Sequence, residues 1–456
     1  MTVSSISGTT LSSCQSAVDK DAQKKRTWFY IVISVIALYL SFSWIQFDVG
    51  SLKEKWRPDR AALFVLDTYA NKDHITMRWQ NPEDIKVSFE GGHRHVYKEK
   101  PEWFTESVEG GSVVTYGNGG KVTFLADEIV LDWPDLKDTL HFRLNESGKP
   151  YVVGFDGRLE ELPEWVRQTE NKVEIRPSLF ERLQIGTKRV EAHRYKVGWA
   201  YFWFDFDSPL RDVGPLEAAG LLFSNERVVP ELSNARLVLR EFMDNSLWNH
   251  GNVLYAMLET IFMALLGTMI AAGVGLPLAF MAARNVQPIW LARFLLRRTF
   301  DTLRGIDTLI WSLIFLRAFG SGLFTGIFAI AFTDTGTLGK LMSVAIENAD
   351  KKQLEGIQST GASTVQQHRF GILPQIMPVF ISQSLYYLES NTRSAVIIGA
   401  MGAGGIGLQF LGALQTGNDF ENVAYMALLV LFTVIAMDAL SARLRRTLIG
   451  FKAPSK

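Results

Sequence analysis

The sequence predicts an α-helical membrane protein with about six transmembrane helices and a β-rich extracytoplasmic domain between helices 1 and 2. Three observations predict it. The chain has 456 residues, 47% hydrophobic and 21% charged, with zero formal charge, yet the two kinds are segregated. Residues 46–250 hold 34 acidic against 27 basic side chains, while the rest holds 13 against 20 among long apolar runs. Within 46–250, β-prone stretches alternate with turn residues.

Residues 1–27 read as a cytoplasmic tail. The span 28–45, from Trp28 to Ile45, is uncharged and has aromatic residues at both ends, where interfacial rings sit. Lys24, Lys25 and Arg26 precede it and hold the N-terminus inside by the positive-inside rule. The polar lead-in and the lack of an A-x-A site favour an anchor over a cleaved signal peptide. A membrane domain at 251–448 supplies five more runs: Thr260 to Ala283, Phe300 to Leu316, Leu323 to Ala345, Phe370 onward, and Asn422 to Met437. Asp301, Arg304, Asp307 and Asp334 interrupt the third and fourth crossings. Six crossings return the chain to a cytoplasmic tail at 449–456. Loop charges agree: Arg284, Arg293, Arg297 and Arg298 share one inner loop, Lys351, Lys352 and Arg369 another, and Arg443, Arg445 and Arg446 cap the end.

Residues 46–250 then face outward, where an acidic balance suits a translocated segment. In SVVTYGNGGKVTF, Asn118-Gly119 between two β-prone runs reads as a hairpin turn with both positions at φ > 0. DIKVSFEGG and KVTFLADEIVLDW add strands. The domain is expected from Lys53 to Lys196, long enough for its own core. The following VGWAYFWFDFDSPL is too aromatic for free solvent and belongs at the membrane interface or on the domain. Asp205 and Asp207 read as the wet face of a strand rather than as paired catalytic carboxylates.

Several function classes drop out. Cys14 is the single cysteine, which excludes an intramolecular disulfide and a cysteine metal site. The seven histidines show no H-E-x-x-H spacing, and no basic patch suits nucleic acid. Gly336, Gly339 and Lys340 imitate the end of a P-loop, but the spacing is wrong and Leu341 replaces the required hydroxyl. Gly402, Gly404 and Gly407 spell G-x-G-x-x-G, with Glu421 downstream like a ribose partner. These glycines stand between two membrane segments, with no room for the helix and second strand of a nucleotide fold. No cofactor or metal is expected. Gly402, Gly404, Gly405 and Gly407 read instead as a helix break or a close backbone contact.

The stretch ENADKKQLEGIQSTGASTVQQHRFGILPQIMP, Glu347 to Pro378, resembles the EAA loop of ABC-importer permeases. Glu355, Gly361, Leu373 and Pro374 stand at the positions of its Glu, Gly and distal Leu-Pro. YYLESNTRSAVIIGAMGAGGIG, LPLAFMAARN, GTLGKL and DALSARLRR are similar to the phosphonate-permease group of that superfamily, so the resemblance covers Leu232 to Leu448. It implies an ABC type I importer (MetI-like) permease core in a bacterial inner membrane. It also implies a permease homodimer, two copies of an ABC ATPase, and a separate extracytoplasmic substrate-binding protein. The coupling loop, 347–370, would set Glu355, Gly356, Gly361 and Ala362 into an ATPase cleft. Two departures stand out. Gly356 replaces the alanine of the Glu-Ala-Ala pattern, and LRGIDTLIW lacks the Pro-Glu or Pro-Asp expected before the third apolar run.

Charges in a bilayer find partners or line water. Glu389 and Arg393, four apart, can pair on one helical face, as can Arg304 and Asp307, three apart. Two readings stand for Arg304, Asp307, Glu389, Asn391 and Arg393. They line the path of a phosphonate or phosphite anion and offer it donors, or they form internal ion pairs that fix helix packing. The insertion docks the binding protein, gates the path, or is a structural or sensing appendage. The rival functions are an importer of another small solute, such as methionine or an osmoprotectant, and a membrane receptor with an outer sensing domain.

Overall fold

The structure is a computed structural model that describes residues 8–90, 95–106, 111–154, 162–416 and 420–450. The Gly-Gly that ends DIKVSFEGG and most of the expected C-terminal tail, 451–456, lie outside the described residues. Residues 1–63 and 64–456 form two compact units. In the first, α1 (Gly8–Gln46) is a single helix of 39 residues. Its part from Lys20 to Gln46 is long and apolar enough to cross a membrane. Asp48, in the left-handed region, accepts from Lys55 of the short α2 (Leu52–Lys55). The next helix, α3 (Pro58–Thr68), carries the chain into the second unit.

There, β1 (Ala70–Arg78) and β2 (Asn81–Phe89) open one sheet. A second sheet is an antiparallel meander of β3 (Phe104–Glu106), β4 (Ser112–Thr115), β5 (Lys121–Phe124), β6 (Ile129–Asp132), β7 (Leu140–Leu144) and β8 (Pro150–Val152). The chain then returns through β9 (Val166–Gln168), β10 (Lys172–Ile175), β11 (Glu181–Gly186) and β12 (Arg189–Val197). These complete the first sheet in the order β2-β1-β12-β11-β10-β9. Alternation along the strands sends Ile75, Met77, Ile185 and Val190 from one sheet, and Val122, Phe124, Ile129 and Phe142 from the other, into one core. The strands run from Ala70 to Val197, and the helices α2 and α3 lie between Lys53 and the first of them.

The Asn118-Gly119 hairpin exists but not with the expected turn. Gly119 alone is left-handed, at φ 90°, and Asn118 is not. The Gly119 N–H donates to the Tyr116 carbonyl and the Tyr116 N–H to the Gly120 carbonyl, so the loop has three residues and needs one positive φ. Asn118 Oδ1 accepts from the Gly120 N–H at 3.1 Å, a local bond that holds the bend.

The helical part begins with α4 (Pro215–Phe223) and α5 (Asn234–Met243), which bury Ala218 and Leu237 against Phe204 and Leu210. Next comes α6 (His250–Ala282), of 33 residues and roughly 50 Å. The single third crossing expected over Phe300 to Leu316 is instead two helices, α7 (Trp290–Gly305) and α8 (Thr308–Phe319). Asp307 causes the break: its extended backbone and carboxylate cap α8 by accepting from the Leu309 N–H at 2.8 Å. Then follow α9 (Leu323–Glu347), α10 (Lys351–Gln358), α11 (Thr364–Gln367), α12 (Leu373–Ile398), α13 (Gly405–Thr416) and α14 (Phe420–Ile449).

Among the described residues, three helices are long and apolar enough to cross a membrane: α1, α6 and α14. A fourth span results if the segment Thr364–Ala403 and α13, bent by 63°, count as one. The expected six also included α9 and the α7–α8 stretch, whose charges and break keep them outside this group. The long partnership of α6 with α9 runs through small residues. Gly267 lies under Ile330, Gly275 touches Gly339 and Leu338, and Gly326 receives Met263.

Candidate functional site

At one end of α6 the chain forms an elbow. The Asp350 carboxylate caps α10, Gly361 turns at φ 82°, and Ser363 begins α11 with Gln366 closing a capping box. Only glycine adopts that φ without strain, and the turn lets the two helices fold over each other. Leu354 and Ile357 seat the inner face of α10 on Gly371, where an added Cβ would lie 3.2 Å from both. Glu355, Gly356 and Gly361 face outward, with Val365 and Phe370 strongly exposed. Ala362 and Leu373 are half-buried, and Pro374, in the first turn of α12, is exposed. The elbow rests on the bundle through Ile372 and Ile376, which share a core with Ala279, Ala283, Met342 and Ile346. Glu347 locks this end by accepting from the Arg284 N–H and the Arg297 guanidinium, and Asn285 donates to the Ile346 carbonyl.

Within the bundle, Asn391 is buried and its amide donates to Thr268 Oγ1 at 2.8 Å and Asp334 Oδ2 at 2.5 Å. That knot ties α12 to α6 and α9, so both of its donor hydrogens are spent on protein. Arg393 lies 3.2 Å from Glu389, with the arginine 56% exposed and the glutamate 15%. The expected Arg304–Asp307 pair does not form. Arg304 bonds Asp301 at 3.2 Å instead, because Asp307 is committed to its cap. Asp301 also meets Arg298 and Lys340, which makes it the hub of a cationic cluster.

The glycine run breaks the helix. Gly402, Gly404 and Gly405 have φ of 110°, 88° and 70°, and α13 departs at 63° from the preceding helix. The freed backbone is satisfied by α6: the Gly405 N–H donates to Glu259 Oε2 at 3.1 Å and the Ile406 N–H to Thr260 Oγ1 at 2.9 Å. A Cβ at Gly407 would collide with the Val396 carbonyl, and one at Gly405 with Thr260. Helices flank the motif on both sides and no strand precedes it, which removes the nucleotide fingerprint.

At the other end of α6 the aromatic stretch joins the sheets to the bundle. Phe202 stacks on Trp199 and meets Trp248, His250 and Tyr425 edge to face, with centroids 4.8 to 5.4 Å apart. His250 bonds Tyr425 and the Phe202 carbonyl. The stretch is a series of turns, not the strand read from FWFDFD. Asp205 turns inward and accepts from the Ser246 N–H and hydroxyl at 2.8 and 2.6 Å, while Asp207 stays exposed 3.9 Å from Lys98. On the face of the first sheet away from the core, His74 and His193 oppose each other across β1 and β12, with ring centroids 4.2 Å apart. Burial, helped by nearby Lys72 and Arg182, lowers His74 to about 3 and holds His193 well below the usual histidine range. Among the described residues no group of three histidine, cysteine, aspartate or glutamate side chains could hold a metal ion.

Thr268, Asp334, Glu259 and Asp301 were not expected as partners. Their one sequence signal is a polar side chain inside an apolar run, which marks a contact but not its other half.

An exposed helical elbow at one end of a long apolar helix, with a broken helix and a polar knot inside the bundle, defines a membrane-embedded transport subunit. Residues 275–448 match the family of binding-protein-dependent transport system inner membrane components. A putative phosphite transport system permease protein of Stutzerimonas stutzeri, HtxC, is 37% identical over 194 residues, covering 42% of this chain and 68% of that protein. The phosphite transport system permease protein PtxC of the same organism is 32% identical over 242 residues, covering 51% and 82%. A putative cryptic phosphonate transport system permease protein of Escherichia coli, PhnE2, is 43% identical over 121 residues, covering 26% and 98%. The chain belongs to this family: it is the permease of a binding-protein-dependent importer. The sheets, which end at Val197, lie outside the matched residues.

Proposed function

We propose that this permease carries a phosphonate- or phosphite-type oxyanion, and that its elbow, Glu355 to Gly361, is the grip through which a pair of ATPase subunits moves the helices. The supporting observation is the exposed outer face of α10 above a firmly seated inner face, Leu354 and Ile357 on Gly371. A rigid knob with a polar outer surface transmits force without refolding. The permease names carried by its relatives, phosphite and phosphonate, support the solute class. In this reading six segments cross the membrane, both termini are cytoplasmic, residues 46–250 face outward, and two copies of the chain form the path. Arg393, half-exposed beside Glu389, is the candidate path donor, since a guanidinium binds tetrahedral oxyanions through paired N–H groups. Asn391, whose amide is consumed in the knot, holds helices rather than solute.

The test combines Glu355→Arg with Gly361→Leu and measures phosphite and phosphonate uptake in cells, together with ATPase co-purification. Loss of both at normal membrane levels is the expected result. Unchanged uptake removes the elbow from the mechanism. Arg393→Gln at normal protein levels should cut uptake at least tenfold, and an unaltered rate reassigns Arg393 to structure.

A further inference from the structure

Where the sheets meet the first turns of α6 and α14, a cavity of about 220 Å³ opens, walled by Phe89, Trp199 and Trp248 and by Glu90, His95 and Glu421. It is smaller than a drug-sized pocket and suits a ligand of a few heavy atoms. Asn71, Ser246, Asn249 and Asn422 also line it, and two of its polar atoms, on His95 and Glu90, have no hydrogen-bond partner among the described residues. The Ser246 hydroxyl donates to Asp205 at 2.6 Å, so toward His95 Nε2, 3.0 Å away, it must accept. This network places a proton on Nε2, which also lies 3.4 Å from Asp205 Oδ1, and gives Nδ1 the acceptor role in the neutral ring. His95 is 7% exposed, and its Nδ1 has no hydrogen-bond partner among the described residues.

Glu90 sits at left-handed φ 50° just beyond β2, and its Oε1 accepts from the Lys72 N–H at 2.7 Å. Its Oε2 has no hydrogen-bond donor among the described residues and lies 3.6 Å from the Lys72 ammonium. The charged groups that face Glu90 are Lys72 from β1 and Glu421 from α14. The Glu90 carboxylate, which shares the Lys72 ammonium at 3.6 Å, an acceptor imidazole and three aromatic faces favour a compact group with several N–H donors.

We propose that this cavity binds the primary ammonium group of a small amine, with His95 Nδ1 and Glu90 Oε2 accepting its N–H donors and the tryptophans covering its carbon. The site is independent of the anion that the path carries. Burial, reinforced by Glu421, pushes Glu90 up to about 8. Below that pH a proton occupies the empty site and must leave when the cation enters, so affinity rises with pH and levels off above it.

The test uses the full chain in nanodiscs of phosphatidylcholine and phosphatidylglycerol, which lack primary amines, and titrates methylammonium by saturation-transfer NMR. Saturable binding is expected, weaker by roughly twentyfold at pH 6.5 than at pH 8.5. Tetramethylammonium, which has the charge but no N–H donor, should bind at least tenfold more weakly. Glu90→Gln should abolish the pH dependence, and His95→Phe should weaken binding at every pH. If either variant fails to fold, the wild-type pH profile and the tetramethylammonium comparison still decide. Adding phosphatidylethanolamine separates the sources: competition identifies a lipid headgroup, and its absence a free amine. No saturable methylammonium binding, equal binding of tetramethylammonium, or displacement by equimolar potassium overturns the proposal.

Discussion

The sheets and the longest helix of the bundle, α6, differ in the size of the residues they bury. In the sheet core the large side chains Ile75, Phe124, Ile129 and Phe142 are fully enclosed. In α6 the enclosed residues include Ala264, Ala271, Ala279, Ala282, Gly267 and Gly275 beside a few larger ones such as Met263, while Phe262, Met269 and Ile270 are 40 to 59% exposed. Water drives the first arrangement, because each apolar side chain gains by leaving it. Lipid offers no such gain, so the second depends on close backbone approach and on polar knots such as Asn391–Asp334–Thr268. The same chain therefore contains two stability regimes, and substitutions separate them.

The sharpest separation comes from glycine. Gly407→Ala drives a methyl into the Val396 carbonyl and should cost more than about 4 kcal/mol, with the protein lost from membranes or its thermal transition collapsed. If Gly407→Ala melts like wild type, close contact is not what holds the bundle. Asn391→Leu comes next. It leaves the Asp334 carboxyl enclosed without its donor, at about 1–3 kcal/mol, and Asp334→Leu in the same chain should recover part of that loss. Strict additivity of the two changes in detergent melts would show that the knot carries no coupling.

Proton linkage probes the sheets alone. His74 and His193 are held neutral, so below pH 6.5 the unfolded chain binds protons that the folded one refuses. Stability is complete above that pH and is lost as pH falls, by about 2 kcal/mol between pH 6.5 and 5.5 for the pair. Hydrogen exchange of β1 and β12 should accelerate over this window while that of α6 does not, and replacing both histidines by glutamine should remove the effect. The smallest change is Gly119→Ala, which strains one left-handed turn residue in open space. Its cost of about 1 kcal/mol should show only in exchange of β4 and β5.

What could be read in advance follows the same division. Period-2 alternation exposed the strands, and a glycine beside an asparagine exposed the hairpin, because both are local signals. The turn type was missed because neither residue reveals how many others join the loop. The α7–α8 break was hidden because Asp307 reads equally well as a partner for Arg304 and as a cap, and only the competing Asp301 decides. Asp334 looked like a flaw in a crossing until Asn391 and Thr268, far away in sequence, came within hydrogen-bond reach. The elbow was the most legible part of the candidate site, since its capping residues and its glycine lie within a short span.

A last consequence follows from Pro277, which lies inside α6 near the elbow. Proline has no N–H, so the Gly273 carbonyl one turn earlier loses its usual donor, and Gly273 has open space where a side chain would be. The backbone ladder of α6 is thus one rung short near its elbow end. If the elbow is the grip proposed above, a push on it meets α6 at this missing rung, where bending breaks one hydrogen bond fewer.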